Sequence, residues 1–379
     1  MWKAMRLLDR LERNRLRQYF WKKDKITLKA HRENCGYDVE RELDEEDICL
    51  LIHNEEDVCV GYIVLDWMNE RAGSTGIYVE IDQRYRRKGY GTSAMEIMME
   101  YAFQERRFHK LQCCTKSNEE GVENFLYQLG FLFEAVRSNM FIIEGQKVAE
   151  YYYGITESEY RNQGRTALHH KQAPDQYMTP LPCTLGEIES KKLQAFSSVE
   201  YEKKDQCYYC NGLKFRAMTV QDYRINNDII YDSKICRWYD DDVKIPGLTD
   251  IVDEFQLAHL DYKMEDGRLE FAIEEDGEYL GCVSLCGIDT DNERVSASIY
   301  LRPEVRRMGC GTKAMQFALS YAARELHCHM FISCVSDGNI ASAKMMRKLG
   351  CKFGGVQREA AFIGGKYVDT LFFECVIEG

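Results

Sequence analysis

The segment Arg86-Arg87-Lys88-Gly89-Tyr90-Gly91-Thr92 decides the fold, because it recurs as Arg306-Arg307-Met308-Gly309-Cys310-Gly311-Thr312, at an offset of 220 positions (86 to 306). From residue 86 to residue 102, nine of seventeen positions are identical in the two copies, against roughly one expected from average residue usage. The chain therefore contains one structural unit in two copies. Identities beyond the loop, the first four of them among these nine, are Ala94/Ala314, Met95/Met315, Tyr101/Tyr321, Ala102/Ala322, His109/His329, Cys114/Cys334, Leu129/Leu349, Gly130/Gly350, Phe133/Phe353, Val136/Val356, Gly145/Gly365 and Val148/Val368.

The residues around each glycine loop predict the same order of elements in both copies. A β-rich run leads into the loop, and apolar residues at helical spacing follow it. A strand and a second helix that stops at Leu-Gly come next, and a β-hairpin closes the copy. The predicted segments are strands 58–65, 76–81 and 110–115, the helix end at 129–130 and the hairpin turn at 144–145, and in the second copy strands 278–285, 295–301 and 330–335, the helix end at 349–350 and the turn at 364–365.

The domain organisation follows from the length and the repeat. The 379 residues exceed the ~100–200 usual for one domain. We predict an N-terminal domain over residues 1–160, a linker over 161–205 with three of the five prolines, and a C-terminal domain over 206–379 that opens with a hairpin around Asn211-Gly212. Each domain is predicted to be α/β (α+β), with a central mixed, mostly antiparallel twisted sheet and helices on both faces.

The composition predicts a globular cytoplasmic protein. Hydrophobic residues make up 45% and aromatic residues 12% of the chain, enough to fill two cores. The charged first ten residues predict an amphipathic helix, not a signal peptide or membrane anchor. Sixteen cysteines without an export signal predict buried, reduced thiols. The net charge of −12 disfavours nucleic acid as a partner and favours a cationic one.

Two other features have structural explanations as well as functional ones. Cys207 and Cys210, with Cys183 and His169-His170, resemble part of a zinc site, but a second cysteine pair is missing and a hairpin explains the first, so we expect no metal. The acidic runs 40–47 and 240–242 could attract a polycationic substrate or form solvated surfaces.

The glycine loop has the features of a phosphate-binding turn. Successive backbone N–H groups and the positive end of the helix dipole meet at one point, and the missing side chains of Gly89 and Gly91, or of Gly309 and Gly311, let oxygen atoms approach. Nearby charged or hydroxyl side chains are Arg86, Arg87, Lys88 and Thr92 in the first copy and Arg306, Arg307 and Thr312 in the second. The spacing differs from the Walker loop and from the dinucleotide fingerprint, which favours a pyrophosphate other than that of ATP or NAD.

A strand, Arg-x-x-Gly-x-Gly, an amphipathic helix, a strand and a helix that ends in Leu-Gly-Phe together resemble the acetyl-CoA-binding core of the GNAT superfamily of N-acetyltransferases. The segments 150–155, 213–216 with Asp222, and 365–370 resemble the branch of the ribosomal-protein N-terminal acetyltransferases. The resemblance covers almost all of the second copy and residues 57–160 of the first.

The resemblance implies a cofactor site in each copy. The amides of residues 89–92 and 309–312, including Tyr90 and Cys310, would bind the CoA pyrophosphate. The strand ends at Ile81 and Leu301 would pair with the pantetheine arm. Asn339 matches an asparagine that contacts CoA in the family, whereas the first copy has Glu119 there, next to Asn118.

Acetyl transfer to an amine requires a proton acceptor, because a lysine-like amine titrates near pH ~10.4. Glu80 is our candidate base, with Tyr78 on the same face of the strand; the second copy has Tyr300 and Ser298 at these positions. A glutamate on a half-exposed strand is also commonly a solvated surface residue. The tyrosine that many family members use as the acid is replaced by Leu126 and Met346, with Tyr127 one position away. His109 and His329 begin strands and are expected to be structural.

Three functions remain open from the sequence. The chain is expected to transfer an acetyl group from acetyl-CoA to a primary amine of a small molecule or a protein N-terminus. Alternatively, one copy catalyses and the other is structural or senses acyl-CoA, or the protein binds CoA without catalysis. No sequence feature names the amine or sets the oligomeric state.

Overall fold

The computed structural model describes residues 21–23, 25–30, 39, 43–44, 46–166, 196–230 and 268–378. The chain divides into two compact units, one of residues 1–115, 119–133 and 152–176 and the other of residues 116–118, 134–151 and 177–379. The predicted N-terminal helix, Cys183, His169-His170, the prolines of the linker and residues 240–242 lie outside the described residues. Among the described segments, no helix has both the length and the apolar character needed to cross a bilayer.

The first copy is a meander of strands followed by the glycine loop. Strands β1 to β5 pair antiparallel in chain order, β1 with β2, then β2 with β3, β3 with β4 and β4 with β5. Helix α1 follows the loop and continues as a π-helical turn over Tyr101–Glu105. The elements are β1 Trp21–Lys23, β2 Ile26–Ala30, β3 Ile48–His53, β4 Cys59–Asn69, β5 Ser74–Ile81, α1 Tyr90–Glu100, β6 Lys110–Lys116, α2 Val122–Gln128, β7 Leu132–Ile143, β8 Gln146–Thr156 and α3 Glu157–Thr166.

The second copy repeats this order with regular pairing. Strands β10 to β15 form an antiparallel series, β16 pairs with β18, and β17 and β18 form the closing hairpin. The elements are β9 Phe196–Ser197, β10 Glu202–Lys204, β11 Cys207–Cys210, β12 Leu213–Arg216, α4 Val220–Ile230, β13 Arg268–Glu275, β14 Glu278–Asp289, β15 Arg294–Leu301, α5 Cys310–Glu325, β16 Met330–Ser336, α6 Ile340–Lys348, β17 Lys352–Ile363 and β18 Lys366–Glu378.

The predicted fold class is confirmed, since each copy has a mixed, mostly antiparallel sheet with helices. The predicted turns have the backbone that they require: Asn211 and Gly212 have φ of 53° and 82°, and Glu144 and Gly145 have φ of 50° and 76°. These left-handed values are typical of tight hairpin turns. The described cysteines are free thiols, but only six of them are buried; six are half-buried and Cys334 is exposed.

In both copies the parallel pairing that the described residues show in the central sheet ends early. β5 pairs with β6 over residues 74–76, yet β5 continues to Ile81. β15 pairs with β16 at Arg294 and Val295 only, yet continues to Leu301. Beyond these points the strands separate, which leaves a backbone edge of β5 and of β15 without a neighbouring strand in these pairings. The glycine loop starts where each of these edges ends.

Helix α5 covers one face of the second sheet. Val295 is buried in the core, and Ala297, Ile299 and Leu301 pack against it, so the odd-numbered residues of β15 face α5. Phe317 of α5 stacks on Phe215 with a ring distance of 3.9 Å. The even-numbered residues of β15, and of β5 in the first copy, lie on the opposite face because side chains alternate along a strand. We call this opposite face the even face.

Residues 134–151 pack within the second unit. Arg358 Nε contacts the Glu134 carboxylate at 3.0 Å, and the Glu134 side chain is 0% exposed. The Ser138 amide and hydroxyl donate to the two carboxylate oxygens of Glu374, at 2.6 and 2.7 Å. Burial raises the pKa of Glu374 even with these donors. Ala135 pairs with Gly355, where a side chain on Gly355 would collide with the backbone at Glu134.

Glycine is required at Gly61 of β4 and at Gly281 of β14, where these strands pass the ends of β5 and β15. A Cβ on Gly281 would collide with the Tyr300 carbonyl oxygen and lie 2.9 Å from Leu301 Cα; at Gly61 it would collide with the Glu80 carbonyl oxygen and lie 3.0 Å from Ile81 Cα. Leu280 O then accepts from the Arg302 amide at 2.9 Å, and Val60 O accepts from the Asp82 amide at 2.9 Å. This close approach places the end of β5 or β15 against its neighbour.

We expect Gly281→Ala to destabilise the second unit by about 2–3 kcal/mol, because the added methyl group forces backbone atoms of β14 and β15 apart. Gly277→Ala is the matched control: Gly277 has a φ of +84° but open space around its Cβ position, so it should lose only about 1 kcal/mol. Urea denaturation measures both. Equal losses in the two variants would contradict the requirement for close approach.

Candidate functional site

Each glycine loop ends in a helix whose first amides have no side-chain cap. Gly89 and Gly309 are the N-cap residues of α1 and α5, with φ of 88° and 91°, and neither helix has a side-chain hydrogen bond at this cap. The first N–H groups of an α-helix have no partner within the helix. Together with the helix dipole, they form a site that favours an anion.

The space around the loops fits a phosphate group. A Cβ built on Gly89 or Gly309 meets no atom within 4 Å, so the backbone is open there. A Cβ on Gly91 or Gly311 would touch the side chains of Ile81 or Leu301, at 3.5 and 3.4 Å. The predicted strand ends and loop glycines are thus adjacent in both copies, and the residues present fit a CoA pyrophosphate followed by its pantetheine arm.

The first arginine of each loop turns back onto the strand that precedes it. Arg86 Nε donates to the Ile81 carbonyl oxygen at 2.8 Å, and Arg306 Nε donates to the Leu301 carbonyl oxygen at 2.9 Å. These contacts hold the turn between strand and helix. The structure therefore gives Arg86 and Arg306 a structural contact in addition to the charge that the sequence suggested.

Other predicted cofactor residues divide into exposed and buried side chains. Arg87, Lys88, Arg307 and Met308 are exposed, and Lys88 Nζ lies 5.3 Å from the ring centre of Tyr85. Tyr90 and Cys310 are buried, so only their backbone can face a cofactor. Thr92 and Thr312 are half-buried in the first helical turn. Met308 in place of Lys88 leaves the second loop with less positive charge.

Asn339 is the N-cap of α6, where its side chain accepts from the Ser342 amide at 3.3 Å. The corresponding helix of the first copy, α2, begins at Gly121 without a side-chain cap. Glu119 instead accepts from the Thr115 hydroxyl at 2.6 Å. The two copies therefore differ in the residue that starts the second helix.

Glu80 and Tyr78 lie together on the even face of β5. Tyr78 Oη donates to Glu80 Oε2 at 2.8 Å, and Arg86 Nη2 contacts Glu80 Oε1 at 2.6 Å. Burial, and then the neighbouring Glu80, raise the pKa of Tyr78 well above its ordinary value. Tyr78 therefore remains a hydrogen-bond donor at neutral pH, and Glu80 is held between a phenol and a guanidinium.

The positions of the usual acid are in the core. Leu126 and Met346 are 1% and 2% exposed. Tyr127 has its ring centre 5.9 Å from that of Tyr153, so its ring packs among aromatic residues. In the second copy, Tyr300 and Ser298 lie on the even face of β15, where they pair with Cys282 and Ser284.

The two repeated histidines make equivalent backbone contacts. The amides of His109 and His329 donate to the carbonyl oxygens of Gly73 and Glu293, both at 2.6 Å. Cys207 and Cys210 lie in the β11–β12 hairpin. Within the described residues, no three His, Cys, Asp or Glu side chains are grouped so that they could hold a metal ion.

Sequence reasoning missed Glu270 of β13, whose side chain is 8% exposed. Strand register equates Glu270 with Cys49, since Ser284 pairs with Glu270 and Val64 pairs with Cys49. The offset is 221 there instead of 220, so a gapless comparison misaligns these strands. An isolated glutamate within the apolar alternation of β13 is the signal that could have identified it.

A cavity of about 630 Å³ opens in the second unit beside the β11–β12 hairpin. Its lining includes Tyr201, Lys214 and the acidic residues Glu200, Glu202, Glu274, Glu275 and Asp276. It shares no residue with the glycine loop, so it is separate from the candidate cofactor site.

Comparison with known proteins gives one family for both copies. Residues 8–131 match a model described as "Acetyltransferase (GNAT) family", and residues 213–352 match one described as "Acetyltransferase (GNAT) domain". Together the two segments make up more than half of the chain.

Two curated relatives are L-methionine sulfoximine/L-methionine sulfone acetyltransferases of Pseudomonas paraeruginosa and Pseudomonas aeruginosa. Each is 30% identical over 80 residues, which are 21% of this chain. The matched stretch spans 46% of the length of each relative.

Solved structures with a similar fold include two enzymes bound to CoA. One is the spermidine N-acetyltransferase of Vibrio cholerae with CoA and spermine, at 18% identity, with 44% of this chain and 96% of that chain covered and a TM-score of 0.40. The other is a ribosomal L7/L12 alpha-N-protein acetyltransferase, at 16% identity, with 44% and 96% covered and a TM-score of 0.41. Such values identify no substrate.

The two family matches agree with the repeated order of strand, glycine loop and helix. Together they confirm the family resemblance that the sequence showed. The chain belongs to the GNAT acetyltransferase superfamily and carries two of its domains in tandem.

Proposed function

We propose that this protein is an acetyl-CoA-dependent N-acetyltransferase that acts on a primary amine. The observation that carries the proposal is the uncapped, glycine-started helix beside an unpaired strand edge, present in both copies. An anion-binding helix end and a strand edge that no described strand pairs with, side by side, suit a cofactor with a diphosphate and an amide-containing arm.

The proposed cofactor residues follow from this geometry. The amides of residues 89–92 and 309–312 would bind the pyrophosphate, and the backbone at Ile81 and Leu301 would bind the pantetheine arm. Arg87, Lys88 and Arg307 are exposed and can neutralise phosphate charge, while Arg86 and Arg306 hold the turn. Asn339 would contact CoA while it caps α6. Bound acetyl-CoA supplies the activated acetyl thioester; no metal has a part.

The acceptor amine must lose a proton before it can attack. We assign Glu80 as the proton acceptor of the first copy, directly or through water, because its carboxylate lies on the even face near the end of the strand edge that no described strand pairs with. Tyr78 orients this carboxylate through its hydrogen bond. Backbone N–H groups at the separation of β5 and β6 can stabilise the developing oxyanion.

The acceptor is proposed to be a small molecule or a peptide N-terminus, and the net charge of −12 favours a cationic one. Relatives named for the acetylation of methionine sulfoximine and of spermidine agree with an amine acceptor. We further propose a cytoplasmic location, no role for nucleic acid or membrane, and domains at residues 1–160 and 206–379 joined by a linker at 161–205.

A degenerate pair is the second candidate. Glu119 replaces Asn339 in the first copy, and Glu80 is replaced by Tyr300 in the second, so neither copy contains every candidate residue. A protein that binds CoA without catalysis is favoured by the buried Leu126 and Met346 at the position of the usual acid.

If each loop binds one CoA, calorimetric titration should give two equivalents per chain. Gly89→Asp and Gly309→Asp should each remove one equivalent, with affinity at that loop reduced by about 100-fold or more, since the carboxylate repels phosphate and competes for the same amides. One equivalent for the wild type would support the degenerate pair.

The matched control is Gly277→Asp. Gly277 also has a left-handed backbone and open space around it, but it starts no helix. It should bind two equivalents of CoA. Loss of binding in this variant as well would mean that added charge, not the loop, is responsible.

Acetyl transfer is tested by thiol release from acetyl-CoA across a panel of primary amines, with product mass confirmed. Activity should rise with pH toward the amine pKa of ~10.4, because only the neutral amine attacks. Glu80→Gln should reduce kcat by about 10²-fold or more for every amine that the first copy acetylates. Full CoA binding without turnover of any amine would overturn the enzyme proposal in favour of a CoA-binding protein.

A further inference from the structure

The even face of the sheet has opposite chemical character in the two copies. Strand register matches each residue on this face with its counterpart in the other copy. Apolar positions of the first copy correspond to small or polar positions of the second. The matching rows are Cys49–Val64–Tyr78 and Leu51–Tyr62–Glu80 in the first copy, and Glu270–Ser284–Ser298 and Ala272–Cys282–Tyr300 in the second.

In the first copy, side chains fill this face. Leu51, Tyr62 and Val64 form a buried cluster, with exposed fractions of 3%, 2% and 0%, and Val39 and Leu43 pack against it. Tyr78 also contacts this cluster. The packing leaves Glu80, at the strand end, as the one carboxylate of the two rows.

In the second copy, a carboxylate lies in the middle of the face. Glu270 Oε1 contacts Arg268 Nε at 3.1 Å and accepts from the Ser284 hydroxyl at 3.2 Å, while Glu270 Oε2 accepts from the Tyr223 hydroxyl of α4. A carboxylate has about four lone-pair positions, and the two hydroxyl donors occupy two of them, so Glu270 can accept a further hydrogen bond beside its ion pair with Arg268.

A second buried acceptor atom, on the helix that carries Tyr223, has no described donor. Asn226 follows Tyr223 by one helical turn and is 6% exposed, and its Oδ1 has no hydrogen-bond partner within the described part of the chain. Burial raises the pKa of the Cys282 thiol, which lies on the same face, to about 12. An unpaired buried amide oxygen is destabilising, so a donor from a ligand would stabilise this position.

The distance from Glu270 to the proposed reaction site limits what Glu270 can do. β13 is two strands from β15, and each interstrand spacing is about 4.8 Å, so Glu270 lies about 10 Å from β15. A thioester bound at the unpaired edge of β15 would lie about one more spacing away, roughly 14 Å from Glu270, so an ammonium group about 3 Å from the Glu270 carboxylate would lie about 10–11 Å from the reacting nitrogen. Glu270 is therefore too far away to accept a proton from the reacting amine, but it can hold the other end of an acceptor.

We propose that Glu270, with Asn226 and Tyr223, is the specificity-determining anchor of the second copy for an acceptor that carries a second ammonium group, about 10 Å from the nitrogen that is acetylated. The inference rests on the proposed acetyl transfer. The carboxylate and the free amide oxygen accept the ammonium N–H groups, and Cys49, at the position of the first copy that is equivalent to Glu270, carries no carboxylate to do so.

Steady-state kinetics with heptane-1,7-diamine, whose extended length suits this spacing, and with heptylamine test the proposal. The wild type should prefer the diamine. Glu270→Gln should raise KM for the diamine by at least about tenfold, the effect of losing one charge-assisted hydrogen bond, and leave kcat and both heptylamine constants unchanged. Ser284→Val, which introduces the residue of the first copy, should also raise KM for the diamine.

Glu275→Gln is the matched control, since Glu275 is an exposed residue of the same strand, and it should keep the preference for the diamine. Equal KM values for the two amines in the wild type, or the same loss in Glu275→Gln, would overturn the proposal. If Glu270→Gln does not fold, Tyr223→Phe replaces it, and retained diamine preference there counts against the anchor.

Failure of the proposed function is separable from failure of the anchor. If no amine is acetylated, calorimetric binding of heptane-1,7-diamine to the wild type and to Glu270→Gln decides the question. Binding that is lost in the variant supports the anchor, and no binding to the wild type overturns it.

Discussion

In each copy, a hydrogen bond from an arginine to the preceding strand fixes the candidate cofactor site. Arg86 and Arg306 return to the last carbonyl oxygens of β5 and β15, and so define the angle at which the helix leaves the sheet. That angle points the free amides of the helix along the unpaired strand edge. Anion binding and pairing with an extended arm are therefore possible at one place, and both depend on the same turn.

This turn depends on close backbone packing. Gly61 and Gly281 let the neighbouring strand approach the end of β5 or β15 to a distance that no side chain permits. The left-handed Arg87 and Arg307, with φ of 61° and 66°, continue the bend before the helix begins. Such backbone values cost energy in non-glycine residues, and their presence at the same position in both copies indicates that the surrounding packing enforces them.

The two copies have kept the cofactor geometry and diverged on the even face. The first copy packs apolar side chains there and holds its carboxylate, Glu80, beside the loop. The second copy buries its carboxylate, Glu270, two strands away, and caps its second helix with Asn339. In each copy a tyrosine hydroxyl donates to the carboxylate. The same glycine turn is thus compatible with two different surfaces on the even face.

The sequence alone determined the duplication, the strand–loop–helix order, the hairpin turns and the family, because glycine placement and hydrophobic periodicity are local properties of the chain. It also identified Glu80 and Tyr78 as neighbours, since residues two apart on a strand share a face. Only the tertiary structure decided that Arg86 returns to Ile81, that Asn339 caps a helix, and that Glu270 meets Tyr223 and Ser284. These contacts join residues whose approach depends on strand register and helix packing, and a shift of one position between the copies hid that register from a comparison by offset.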